Sequence, residues 1–500
     1  MPGNSDVDLK KIAYDVMKSY GFDPFFSDKI KNEVGRINPE KTIKKFKKTT
    51  DLRNLLWSSI DNYDSMDLDQ MEFARKNPDG STEVYIAIAD VDTYVPKLSD
   101  TDKRAAHNGT SVYTGIETFT MLPRELCEGI SSLLPGQDCM AVVISYTVMK
   151  NGTFKRGDVF RAIVQNRAKL VYEIIGDWLE GKTDVPESVL KVAGLKEQIL
   201  IQHEAALLLK KRRIKKGALV LKTIEANPVI EDGEVLDLVV QEQNAARCLI
   251  EEFMVAANGT VVGFIGESGM PMIQRVVRLP KDWEGIVATA KRYGTKLPKN
   301  PDSRALTQFL ITEMEKDPDR FPDLSVTIIK LIGQGEYLPL KANRKPVGHF
   351  ALAVTDYTHA TAPNRRYVDL INQRLIKAAL ENRKCPYNFD ELKDLAGWLS
   401  DRERSSKKVE RYVRKAAAAV LLRDRIGEIF DAFVTGASQK GVYARLISPP
   451  AEGRIMQRES GLYVGEKVKV RLILADPYKG YIDFECVERE KERNDDENKK

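Results

Sequence analysis

The 500-residue sequence predicts a large mixed α+β domain, a short N-terminal helical region and a C-terminal five-stranded OB-type β-barrel. Three observations carry that expectation. Residues 1–50 place their apolar side chains at helical spacing. Residues 51–425 interleave strand-like and helix-like segments with no linker, repeat or low-complexity tract. Beyond Gly427, five short alternating segments separated by Gly, Pro and Asp fall within about sixty residues, which is the arithmetic of a small barrel.

Taken in order, Val7 to Tyr20 sets Ile12, Val16 and Met17 on one helix face, Gly21 to Pro24 breaks it, and Ser27 caps a second helix through Val34. The region closes on a cationic stretch from Lys41 to Lys48 with Phe46 inside it, which reads as a solvated face. Val84 to Val91 and Met140 to Met149 read as strands, and Val189 to Lys211 and Val368 to Ala379 as helices. The division expected is 1–50 basic and helical, 51–425 one large domain, 426–487 the barrel, and 488–500 a disordered mixed-charge tail.

Composition narrows the classes. Hydrophobic residues at 42% and charged residues at 30% are ordinary for a globular chain and argue against global disorder. No apolar run approaches the roughly eighteen residues of a membrane span, and the first residues lack the apolar core of a signal peptide. Five scattered cysteines without a C-x-x-C pair fit a reducing compartment, so a cytoplasmic location away from membranes is expected. The net charge of +5 is too small, as a total, to point to nucleic acid.

The sharpest local signal is Asp61, Asp64, Asp67 and Asp69, four carboxylates in nine residues directly after an apolar segment. A hard divalent cation needs several oxygen ligands close together, and two such ions can support phosphodiester cleavage. A surface acidic loop is the alternative, whereas a calcium loop of the EF-hand type lacks the spacing and the turn glycine. The flanking Ile60, Met66, Leu68 and Met71 favour a partly buried site, where carboxylates demand a metal or an arginine.

A second cluster runs from Asp356 through His359 to Arg365, Arg366 and Asp369, with two arginines at the start of a helix, where anions are favoured. Pairing of Arg366 with Asp369 is the plain alternative, and His359 alone reads as a core histidine. A third cluster, Arg247 to Asn258, reads as an amphipathic helix with Glu251 and Glu252 facing solvent. Lys210 to Lys216 puts six cations in seven residues, either a phosphate-contacting stripe or the solvated end of a helix. No phosphate-binding P-loop, dinucleotide fingerprint, nucleophile elbow or H-E-x-x-H zinc motif is present in the sequence.

In this order the three clusters resemble the ribonuclease II/R (RNB-domain) family. The resemblance covers roughly Asp51 to Val487 and includes the acidic loop, Ile86 to Val91, Thr110 to Tyr113, Met121 to Leu126, Lys169 to Tyr172, Gly217 to Val220, Leu249 to Met254 and Tyr357 to Asp369. The terminal segments resemble an S1-type OB fold, with Tyr443 on its aromatic RNA-facing strand.

That resemblance implies a monomeric 3′→5′ exoribonuclease that engages single-stranded RNA at its 3′ end and releases nucleoside 5′-monophosphates processively. Mg²⁺ is the implied cofactor, with Mn²⁺ as a substitute. Asp61, Asp67 and Asp69 match catalytic, metal-holding aspartates, and Arg365 matches the arginine that neutralises the scissile phosphate. Glu410 matches an acidic helix residue near the substrate end. Tyr113 matches an aromatic that stacks on bases, Tyr172 and Glu251 match residues that read the ribose, and Arg366 belongs with the RNA-binding set. Three features depart from the family. Gln70 replaces a fourth aspartate, for which Asp64 is a candidate substitute; Leu221 replaces an aromatic of the base clamp; and the region ahead of Asp51 is too short for a pair of cold-shock barrels. A degenerate RNB fold that binds RNA without cutting it is the alternative reading.

Overall fold

The computed structural model describes residues 7–45, 49–223, 226–231, 234–438 and 441–489. The part of the cationic stretch at 46–48 and the tail beyond residue 489 lie outside the described residues. The last strand reaches Arg489, so residues 488 and 489, assigned to the tail on sequence grounds, complete the barrel.

The centre is a seven-stranded sheet. In spatial order its strands are Thr50–Asp51, Phe154–Gln165, Asp138–Val148, Thr82–Ala89, Gln70–Lys76, Ser58–Asp61 and Ala168–Val171. The pairs at the two ends of the sheet are parallel and the rest antiparallel. The segments read as strands, Val84–Val91 and Met140–Met149, fall on Thr82–Ala89 and Asp138–Val148 in the middle of this sheet, where burial explains their near-continuous apolar character. Val91 opens a short helical turn past the end of the first strand, and Met149 lies beyond the end of the second.

Gln70–Lys76 pairs with Ser58–Asp61 only at Ser58 and Glu72, which leaves the next outward-facing backbone groups open. Gln198, buried on the helix Leu195–Lys216, fills that gap with its amide, accepting from the Ala74 N–H at 2.8 Å and donating to the Ala74 carbonyl at 2.5 Å. Buried backbone groups need such partners, and here a helix side chain stands in for a strand.

The helix Ala245–Glu267 corrects two sequence expectations. It is buried nearly all round rather than amphipathic, and its length and mean hydropathy would suffice to cross a membrane. Its apolar window is 83% buried inside the protein, as expected of a central core helix. The segment Val189–Lys211 also splits, with a short helix Glu187–Leu190, a turn, and then Leu195–Lys216 preceded by Gly194 at φ +80°.

Within the span read as one domain, Trp283, Ile286, Phe309, Phe321 and Ile328 belong to a separate apolar cluster on three helices between Trp283 and Ile332. Leu221, the residue at the aromatic position, packs against this cluster. The 34-residue helix Phe389–Leu422 buries Val409 and Val413 against the N-terminal helix Leu9–Ser19, and Ala418, Ala419 and Leu422 against the barrel. The barrel is closed: Ile429–Ser438, Gly441–Leu446, Glu452–Gln457, Tyr481–Arg489 and Lys467–Asp476, with the last pairing back onto the first. The five-strand expectation therefore holds.

Candidate active site

The strand Ser58–Asp61 ends on Asp61, the strand Gln70–Lys76 starts on Gln70, and the acidic loop joins them. Three ties fix the loop. Ser132 Oγ accepts from the Leu68 N–H at 3.0 Å and donates to the Met66 carbonyl at 2.6 Å. Lys169 Nζ donates to the carbonyls of Tyr63, at 2.9 Å, and Ser65. The Asp69 carbonyl accepts from the Ala89 N–H at 2.9 Å. Asp64, the candidate substitute for a fourth aspartate, is exposed, unlike the buried Asp69 and Gln70.

Asp69 is 1% exposed. Its Oδ1 accepts from the Asn364 N–H at 2.8 Å, and its Oδ2 makes an ion-pair contact with Arg365 Nε at 3.2 Å. Thus the Arg365 turn, distant in sequence, docks on the aspartate loop. Ser131 Oγ donates to Asn364 Oδ1 at 2.6 Å and fixes that turn from below, while Asp369 accepts from the Ala362 N–H at 2.8 Å. Adjacent serines at the end of the Leu126–Ile130 helical turn therefore hold both halves of the site. Nothing in the spacing of Ser131, Ser132 or Asn364 marks them in the sequence.

Burial pushes the Asp61 carboxyl up to about 6 and the Asp69 carboxyl up to about 8; Arg365 opposes the shift in both cases, and the Asp67 charge adds to it. Asp61 Oδ2 and Asp69 Oδ2 are buried without a hydrogen-bond partner. Unpartnered carboxylate oxygens of this kind are the donors a hard cation takes. The Asp67 carboxylate is engaged by the Tyr113 hydroxyl at 2.8 Å. Among the described residues, no three His, Cys, Asp or Glu side chains stand close enough together to hold one ion. Gln70 is 3% exposed and sits opposite Ile88, a neutral amide where the family pattern has a charge.

Beside the carboxylates, a cavity of about 230 Å³ is lined by Tyr113, Arg365, Arg366, Tyr337, Glu403 and Glu410 among others. Glu410 Oε1 accepts from the Tyr113 N–H at 3.4 Å, which brings the long C-terminal helix to the site. The Arg366 guanidinium donates twice to Asp369, at 2.8 Å each, so the plain pairing foreseen from sequence is present, although Arg366 still borders the cavity. His359 is the core histidine expected, its Nδ1 sharing a hydrogen bond with the Tyr337 hydroxyl at 2.8 Å.

Tyr172 opens the helix Tyr172–Leu179, and Arg247 stacks over its ring at 4.3 Å. Burial, together with the Asp61 charge, raises its hydroxyl above the usual value. The pair Glu251 and Glu252 is not solvent-facing as a whole. Arg213 Nη2 reaches Glu251 at 2.8 Å and Glu252 at 2.6 Å, and Glu252 is only 2% exposed. One member of the cationic run 210–216 is therefore an internal ion-pair partner. Tyr443 lies on the barrel, outside this cavity, with Lys415 Nζ 5.7 Å from its ring centre.

Comparison with known proteins adds three findings. A family model described as the RNB domain matches residues 49–382, and one described as the RNase II-type exonuclease C-terminal S1 domain matches residues 428–487. The chain is 28% identical to ribonuclease R of Aquifex aeolicus over 514 aligned positions, covering 96% of this chain and 71% of that one. It spans 56% to 65% of the length of three further ribonuclease R chains. In fold it resembles Mycoplasma genitalium RNase R in complex with ribose methylated single-stranded RNA (TM-score 0.86, 22% identity, 97% of this chain and 79% of that one). It also resembles yeast Ssd1, a pseudonuclease (TM-score 0.70, 16% identity, 93% of this chain and 58% of that one).

Proposed function

The chain belongs to the RNB-domain family, and from that premise we propose that it is a Mg²⁺-dependent 3′→5′ exoribonuclease that trims single-stranded RNA processively to nucleoside 5′-monophosphates. The observation that carries the reading is the meeting of two buried carboxylates, Asp61 and Asp69, beside the one guanidinium of Arg365, with the Oδ2 of each making no hydrogen bond. One arginine cannot neutralise two buried carboxylates, and a cation removes the cost of the charge left over.

Asp61 and Asp69, whose Oδ2 atoms make no hydrogen bond, would contribute ligands to Mg²⁺, with Mn²⁺ as an acceptable replacement. Asp67 would join them on leaving the Tyr113 hydroxyl, since the three carboxylates do not already converge on one point. The ion supplies an activated water and charge compensation at the leaving oxygen. The remaining work falls to the chain. Arg365, its backbone fixed by Ser111 and Thr110 and its side chain against Asp69, presents a guanidinium to the scissile phosphate as negative charge builds there. Tyr113, 40% exposed beside it, offers a face to the terminal bases. Tyr172 and Glu251 read the ribose, where the 2′-hydroxyl separates RNA from DNA. Glu410 lines the same cavity as Arg365 and would orient the 3′ end, and Arg366 adds to the positive field there. Tyr443 and the barrel hold the strand further from the cut.

Gln70 favours one second reading, a binding protein that does not cut, because it contributes no charge to the cation. A 3′-labelled single-stranded RNA separates the two. Monophosphate release that needs Mg²⁺ and drops by at least a thousandfold in Asp69→Asn is the expected result. Tight RNA binding with no release at micromolar protein, across Mg²⁺ and Mn²⁺, would establish the second reading and remove the first.

A further inference from the structure

A larger cavity, of about 760 Å³, lies at the other end of the sheet. Its rim includes Gly152, Thr153 and Phe154, on the hairpin joining Asp138–Val148 to Phe154–Gln165. Along Thr82–Ala89 that hairpin lies at the Thr82–Val148 end, whereas Gln70 pairs with Ile88 at the opposite end. Six or seven residues of strand separate the two, roughly 20 Å. The last turns of Leu195–Lys216, the middle of Ala245–Glu267, Arg304 and residues 353–356 complete the walls.

Six cations line this cavity against two carboxylates, Glu252 and Asp356. Arg213 pairs with Glu252 and Arg156 with Asp356. Lys155, Arg212, Lys216 and Arg304 line it with no carboxylate partner among the described residues. Arg212 Nε is, in addition, buried with no hydrogen-bond partner. The floor, in contrast, is apolar: Leu209, Val255, Ala256 and the ring of Phe154, which is 37% exposed. Unpaired guanidinium groups above an apolar floor suit a ligand carrying a multiply charged anion at one end and a flat ring at the other. The volume lies within the roughly 300–1,000 Å³ typical of small-ligand sites.

We propose that this cavity is a second, non-catalytic site for a nucleoside 5′-monophosphate, coupled to the active site through Arg213. Phosphate would seat against Arg212 and Arg304, and the base against Phe154. Arg213 lines the cavity and also holds Glu251, so a phosphate that draws on Arg213 loosens the ribose-reading carboxylate. Only this regulatory consequence rests on the exoribonuclease reading; the binding itself does not.

The test is calorimetric titration of 5′-AMP into the full chain with EDTA present. Expected are saturable one-to-one binding that survives Asp69→Asn, and at least tenfold weaker binding of inorganic phosphate. Arg212→Glu/Arg304→Glu should weaken 5′-AMP at least tenfold. Gly259→Leu should do the same by filling the floor, since a Cβ there has its nearest neighbours at an ordinary 3.5 and 3.6 Å; Gly259→Ala should bind normally and so serves as the folding control. Absence of saturable binding, loss of binding in Asp69→Asn, or undiminished binding in both cavity variants would overturn the site. Competition by a five-nucleotide RNA would also overturn it, by placing the cavity on the substrate path. For the coupling, 5′-AMP should raise the KM for short RNA by a clearly larger factor in the wild type than in Arg212→Glu/Arg304→Glu, where only its binding as product at the active site remains; an equal rise in both removes the coupling. If the chain cuts no RNA at all, the binding titrations still decide the site.

Discussion

Single carboxyls set the behaviour of the site. With the Asp61 carboxyl pushed up to about 6 and that of Asp69 up to about 8, the ion-free protein retains protons that a bound cation must displace. Mg²⁺ affinity should therefore rise as pH climbs from 6 to 8, with proton release measurable by calorimetry in buffers of different ionisation enthalpy. The stability sign follows from the same shifts. Both folded-state values lie above the ordinary aspartate value, so the folded state binds more protons, and the ion-free fold loses stability as pH rises from about 4 through 8. Glu72, buried with both oxygens unpartnered, is shifted by its burial in the same direction. Affinity that stays flat over this range, with no proton release, would show that these carboxyls are not the cation's ligands.

At the scale of elements, the active-site turn depends on how the helix Tyr367–Leu380 is anchored to the sheet. Asp90, fully buried just after the strand Thr82–Ala89, is held by Lys377 at 2.9 Å and Arg161 at 2.7 Å. Burial alone would raise its pKa, yet Lys377 and then Arg161 bring it below the ordinary value. Arg374 extends the network to Asp92 and Asp102. Replacing Lys377 by Ala leaves a buried carboxylate half-compensated and should cost about 3–5 kcal/mol in urea unfolding. A cost under about 1 kcal/mol would mean that Arg161 alone suffices for Asp90. The anchor matters for chemistry because Asp369, on the first turn of the same helix, holds Arg366 and the Ala362 N–H, and so the turn that presents Arg365.

Across the whole molecule, the helix Phe389–Leu422 ties three layers together: the N-terminal helix through Val409 and Val413, the catalytic cavity through Glu410, and the barrel through Ala418, Ala419 and Leu422. In the exoribonuclease reading, RNA held by the barrel would thereby be set at a fixed distance from the cut. Tyr443→Ala should weaken long single-stranded RNA by about 1–3 kcal/mol while leaving the salt dependence of binding and the cleavage of short oligomers unchanged. A fall in short-oligomer cleavage would place the barrel in the active site itself. The sequence by itself determined the fold class, the barrel and the acidic loop, because these follow from local periodicity and from carboxylates crowded within a few residues. It also marked Arg365 through its motif. Only the tertiary structure decided that Asp69 and Arg365, about three hundred residues apart, meet; that Ser131, Ser132 and Asn364 hold them; and that Glu252 and Arg213 lie inside. The same is true of Ala245–Glu267, whose composition suits a membrane as well as a core, since hydropathy records what a helix avoids and only packing decides what covers it.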